Sequence, residues 1–165
     1  MSKHSARPWN KVILSIVTVA VLLASLAQPQ YVVSAAADLT VSPITWDVVG
    51  LDSNNVNVGP NQFPVGVRVC NATGADPATN VEAAFTWTSS ANDTYIYSRP
   101  GSYTTIPGPT EPAITINGGA CRDFYFEVEI ARDAASRGKA RPYEISVTAD
   151  GGISLTYPPS GTRQI

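Results

Sequence analysis

The sequence predicts an all-β chain: an immunoglobulin-like antiparallel β-sandwich preceded by an N-terminal signal peptide. Three observations carry this prediction. Residues 119–130 alternate with period two, placing Phe124, Phe126, Val128 and Ile130 on one face and Cys121, Asp123, Tyr125, Glu127 and Glu129 on the other. A strand with one apolar and one polar face lies between a core and water, as in antiparallel sheets. Further short alternating segments recur along the chain, separated by Gly, Pro, Asn and Asp, with almost no helical periodicity. The amino end, finally, has the order of an export signal. A closed barrel is the main rival architecture.

The leader begins with a polar, basic run holding Lys3, Arg7 and Lys11. Residues 12–27 are apolar apart from Ser15, Thr18 and Ser25, and Gln28, Pro29 and Gln30 break the run. Small residues follow at Ser34, Ala35, Ala36 and Ala37, which marks a secretory signal peptide cleaved among the three alanines, with Ala37 preferred. An uncleaved anchor is the alternative, but 16 apolar residues fall short of the roughly 20 a spanning helix needs. The expected domains are therefore 1–37 signal peptide, 38–158 sandwich and 159–165 linker-like tail. The destination is secreted, extracellular or cell-surface. Of the 11 basic residues, 8 remain after cleavage against 13 acidic ones, a net charge near −5. That balance argues against nucleic acid and anionic membrane surfaces as partners.

In chain order, Leu39, Val41, Ile44, Trp46 and Val48 predict a first strand bent at Pro43. A polar Asn/Gly/Pro loop covers 51–61. Val65, Val67 and Val69 alternate with Gly66, Arg68 and Cys70 in a second strand. Val81, Ala83, Phe85 and Trp87 form the inward row of a third, so Trp87 is expected to be buried. The pattern weakens over 89–118, where 95–97 and 114–116 are short strand candidates between Pro/Gly turns. After the 120–130 strand, residues 131–139 are the one candidate helix, ended by Gly138. Tyr143, Ile145, Val147 and Ala149 alternate next. Asp150, Gly151 and Gly152 then make a hairpin turn into Ile153, Leu155 and Tyr157.

Two cysteines in an exported chain most simply form one disulfide, Cys70–Cys121. Both lie opposite their strand's apolar row, so the bridge belongs on a sheet's outer face. Pairing the two strands antiparallel with Cys70 opposite Cys121 makes partners sum to 191. Arg68 then faces Asp123, Gly66 faces Tyr125, and Val67 and Val65 lie beside Phe124 and Phe126. The alternatives, a catalytic thiol pair or metal ligands, fit poorly, because the spacing is unlike CxxC and the one histidine, His4, leaves with the leader.

Few residues suggest chemistry, and no cofactor or metal is expected. Without histidine a serine nucleophile lacks its usual base, and Ser/Lys catalysis would depend on Lys139, the one lysine that stays. Glu127 and Glu129 share an outer face, which for two carboxylates reads as solubilising rather than as a glycosidase pair. Residues 52–59 hold oxygen ligands and a glycine but lack the carboxylate spacing of a calcium loop. Residues 71–73 and 92–94 fit the glycosylation sequon. Tyr95, Tyr97 and Tyr103 lie in a loop-rich stretch and are the candidates for stacking on a sugar ring.

Residues 63–74 end a strand in Asn-x-x-Gly and are followed at 78–81 by Ala-Thr-Asn-Val. This text resembles the Ig-like repeat modules of large bacterial surface proteins, the domain-of-unknown-function-11 and CARDB-like families. Their Ile-Pro and Gly-x-Cys segments, which feed a central strand, correspond to Ile106, Pro107 and 118–121, with an insertion between. Residues 143–150 are similar to their closing strand. The resemblance spans about 39–157 and implies an extracellular spacer, adhesion or envelope module with no active site to carry over. The expected function is therefore non-enzymatic, structural or adhesive, with envelope polysaccharide or other surface proteins as partners. A carbohydrate-binding module using Tyr95, Tyr97 and Tyr103 is the alternative. The chain has one such module, so it is expected to be either a single secreted domain or the first module of a longer protein.

Overall fold

The computed structural model describes residues 35–46, 48–52, 54–161 and 163–165. Most of the expected signal peptide lies outside them. Two antiparallel sheets form a sandwich. The first has the order β1-β2-β7-β4, built from Leu39–Pro43, Gln62–Asn71, Cys121–Ile130 and Ile96–Ser98. The second is centred on β3 (Ala78–Trp87) paired with β8 (Pro142–Ala149). To β3 are added β5 (Thr105–Ile106) and β6 (Ile114–Ile116); to the far edge of β8 are added β9 (Ile153–Tyr157) and β10 (Arg163–Gln164).

The inward rows are those the alternation predicts. Val65, Val67 and Val69 of β2 meet Phe124, Phe126 and Val128 of β7, all essentially without solvent contact. Opposite them lie Val81, Ala83 and Phe85 of β3 and Tyr143, Ile145 and Val147 of β8. Phe85 ties the layers together: its ring stacks on Tyr143 at 5.0 Å and meets Phe126 of the other sheet at 5.6 Å. Large side chains buried from both sheets supply the main stabilisation, about 1.5–3 kcal/mol for each fully buried aliphatic or Phe residue.

Several elements differ from expectation. The first strand ends at Pro43 rather than continuing to Val48. Proline offers no amide to the ladder, and beyond it the Thr45 hydroxyl accepts from the Gly66 amide at 2.8 Å. Trp46 and Val48, expected to continue that strand, lie beyond it and are more than four-fifths exposed. Trp87 is half-buried rather than buried, packing its edge on Phe85 at 4.9 Å and donating to Ser98 Oγ at 3.0 Å. The expected helix over 131–139 contracts to one 3₁₀ turn, Ala134–Ser136, in which the Asp133 side chain caps the Ala135 amide. Strand β3 starts three residues early, at Ala78, through a bulge before Val81. The extra residue keeps Ala78 and Val81 both inward, and Asn80 takes the left-handed backbone (φ 52°) that asparagine tolerates. The expected linker-like tail also returns to the fold. Arg163 and Gln164 pair with Tyr143 and Pro142, and Ile165 is buried.

At the hairpin Asp150–Gly152, Gly151 and Gly152 both take φ near +80°, the conformation for which glycine is selected. Among the described residues no helix is long and apolar enough to cross a membrane.

Candidate functional site

The polar face of the first sheet holds most of the residues that the sequence singles out. Its register is the one predicted: all nine β2–β7 partners sum to 191, from Gln62–Glu129 to Cys70–Cys121. Cys70 and Cys121 are disulfide-bonded, on the outer side of the sheet. One step along, Arg68 grips Asp123 with two parallel bonds, Nε to Oδ1 at 2.6 Å and Nη2 to Oδ2 at 2.8 Å. These hydrogen bonds, and then the guanidinium charge, hold the Asp123 carboxyl below its usual value and raise Arg68 above its own. Next, the Tyr125 ring lies on Gly66. A Cβ there would meet Tyr125 Cδ1 and the Phe124 carbonyl oxygen at 2.8 Å each, so only glycine admits the ring.

Glu127 and Glu129 are each engaged by neighbours. Glu127 pairs with Arg99. Glu129 accepts from Tyr97 at 3.2 Å and from Asn61 and Gln62 at 3.3 Å each. Desolvation, then the Glu129 carboxylate, pushes the Tyr97 hydroxyl up from its ordinary value.

The three candidate tyrosines have three different settings. Tyr97 stands on the first sheet's outer face against Glu129. Tyr95 packs half-buried at the core's margin, with Lys139 Nζ 5.3 Å from its ring centre. Tyr103 covers Gly108 and leaves about half its surface exposed. Tyr125 is equally exposed and was not singled out by the sequence, although its place opposite Gly66 signalled a ring lying flat on the sheet.

The calcium-like loop is tied by hydrogen bonds within it and from Arg132. Asp52 accepts from the amides of Asn54 and Asn55, which lowers its pKa. Arg132 enters from the β7 end and donates to the carbonyls of Val56, Val58 and Gly59 and to Asn61 Oδ1. A guanidinium thus engages three main-chain carbonyls of this loop. No group of three His, Cys, Asp or Glu is placed to hold a metal among the described residues. Arg132 was not legible as a loop anchor in the sequence, because 73 residues separate it from Gly59.

Both sequon asparagines serve the fold. Asn71 is 2% exposed; its amide nitrogen donates to the Asp76 and Ile116 carbonyls and its oxygen accepts from the Asp38 amide. Asn92 donates to the Ala140 carbonyl at 2.7 Å. Arg141, also missed from sequence, is buried. Its guanidinium lies 4.5 Å from the Trp87 ring centre and donates to the carbonyls of Ser89 and Ile96, and burial lowers its pKa.

A cavity of about 400 Å³ opens at one end of the sandwich, where β4 and β7 run out. It is lined by Ile96, Ile130 and Ile165, by Val49, Leu51 and Val56 and by residues of the β7–β8 connection.

No protein-family model matches the chain, and no curated protein is significantly similar to it. Among solved structures, a family 123 glycoside hydrolase from Clostridium perfringens, studied for glycolipid glycan hydrolysis, aligns with a TM-score of 0.38 and 13% identity. The alignment covers 76% of this chain and 26% of that one, so the chain spans about a quarter of that structure's length. A likeness at this level carries no argument.

Proposed function

We propose that the chain is a non-enzymatic, exported β-sandwich module with a structural, spacer or adhesive role at the bacterial cell surface. The observation that carries the reading is the Cys70–Cys121 bridge across the two central strands of one sheet. Cys121 is exposed, and a bridge open to solvent persists in oxidising compartments and is reduced in the cytosol. Further support comes from the polar groups. The carboxylates of Asp123, Glu127 and Glu129 on the first sheet's outer face are each engaged by a neighbouring amide, hydroxyl or guanidinium, as in a face built for rigidity. Intact-mass measurement on cell-surface material, with and without reduction and alkylation, tests this. The expected species starts at Asp38 or within two residues, carries no free thiol, and is digested by protease added to intact cells. A cytoplasmic protein with two alkylatable thiols would overturn it.

A second reading, carbohydrate binding through Tyr95, Tyr97 and Tyr103, rests on the half-exposed ring of Tyr103 alone, since Tyr95 and Tyr97 are partly buried in separate settings. Affinity electrophoresis in envelope polysaccharide tests it: retardation abolished by Tyr103→Ala supports the reading, and unretarded wild-type protein refutes it.

A further inference from the structure

We propose that Asn117, in the turn before β7, is a site of spontaneous covalent modification by loss of its side-chain amide. It is followed by glycine, whereas every other asparagine precedes a residue that carries a side chain. A side chain on the following residue shields its amide nitrogen; glycine leaves that nitrogen open to the neighbouring side-chain carbonyl. Asn117 and Gly118 are both exposed. Among the described residues the Asn117 side chain makes no hydrogen bond, and neither does the Gly118 amide. Asn71, Asn80 and Asn92, by contrast, are each held by their side-chain amides. The one Asp-Gly pair is also held, because Asp150 Oδ2 accepts from Thr79 and Asn80 at 2.7 Å each. The fold itself demands the glycine at 118, where a Cβ would lie 2.2 Å from the Ala75 carbonyl oxygen.

In the reaction the Gly118 nitrogen attacks the side-chain carbonyl carbon of Asn117. The new nitrogen–carbon bond forms, the bond to Nδ2 breaks, and ammonia leaves with the proton that the Gly118 amide gives up. Water then opens the cyclic imide at one of its two carbonyls. Opening at the side-chain carbonyl gives aspartate; opening at the main-chain carbonyl gives isoaspartate, with the backbone routed through Cβ. The net exchange is water in and ammonia out. The two products differ in what they do to the turn, because Asn71 holds both of its ends. Asn71 Nδ2 donates to the Ile116 carbonyl at 3.0 Å, and the Asn71 carbonyl accepts from the Gly119 amide at 2.9 Å. Isoaspartate adds one main-chain atom between these anchors, where Gly118 already lies against Ala75. Aspartate keeps the main-chain length and leaves the clamp intact.

The test is peptide mapping by mass of the purified folded protein, sampled during prolonged incubation in mildly alkaline buffer. Isoaspartate is detected by enzymatic methylation, and urea-unfolded protein is run alongside. The first mass change should be the conversion of amide to acid at Asn117, with isoaspartate among the products. Asn117→Gln, whose longer side chain closes the ring poorly, should leave that peptide unchanged; its exposed position lets the fold survive, as a thermal melt would verify. Amide exchange then reads the clamp. The isoaspartate form should lose protection at the Gly119 amide, and Asn117→Asp should keep it. An unchanged Asn117 in the folded protein while the unfolded protein reacts, or earlier change at another asparagine or at Asp150, overturns the proposal. Equal Gly119 protection in the isoaspartate form and in Asn117→Asp overturns the assignment of the clamp.

Discussion

Removing the Cys70–Cys121 bridge is the perturbation whose size follows most directly from the structure. The cysteines are 51 residues apart, so breaking the bridge returns the entropy of that loop to the unfolded chain. The chain-entropy relation puts this at about 4 kcal/mol. Little packing is lost with it, because the bridge lies on the outer face, with Cys121 exposed and Cys70 half-buried; that part should stay within about 0.5 kcal/mol. The compact unit of residues 34–165 has an unfolding entropy of about 0.28 kcal/mol/K at roughly 2.1 cal/mol/K per residue. The melting temperature should therefore fall by roughly 15 °C. Thermal melts of the oxidised protein, the reduced protein and the Cys70→Ala/Cys121→Ala variant measure it. The reduced protein and the double variant should agree with each other, since both lose the link and little else. A fall of only a few degrees would refute the reasoning, showing that the β2–β7 pairing persists in the unfolded chain without the link.

Other outcomes follow from single sites. Gly66→Ala should cost about 1–3 kcal/mol, because the new methyl meets the Phe124 carbonyl oxygen as well as the Tyr125 ring; urea unfolding reads this, and adding Tyr125→Ala should restore only part of it. Asn71→Ala removes three hydrogen bonds and should cost about 2–4 kcal/mol, and in a glycosylating host the folded protein should carry no glycan at Asn71. On the acid side, Asp123 is depressed below the ordinary 3.8 by Arg68. Its contribution is present above that pH and lost as pH falls from there through the folded-state pKa, so Asp123→Asn should flatten stability against pH below about 3.8. Arg132→Ala should speed amide exchange across 54–61, and millimolar calcium should leave that exchange unchanged; calcium-dependent protection would contradict the assignment of those carbonyls to the guanidinium.

What the sequence determined by itself was local alternation and one long-range pairing. Period-two rows put Val65, Val67 and Val69 and Phe124, Phe126 and Val128 inward, because a strand's side chains must alternate between core and water. Two cysteines on matching outer faces then pinned the register, since a slip of one residue would have sent every side chain to the wrong side. From that register came Arg68 against Asp123 and Tyr125 on Gly66. Tertiary structure decided what the pattern left undetermined. Pro43 could bend the first strand or end it, and in the fold the strand ends there. The polar tail contains no alternation, yet Arg163 and Gln164 found an open edge on β8 and Ile165 a place in the core. Asn71 reads as a surface sequon until three backbone groups close around it. The end cavity is assembled from residues near 50, 96, 130, 137 and 165. No local periodicity encodes such a meeting, because it exists only once both sheets have closed and their loops have converged.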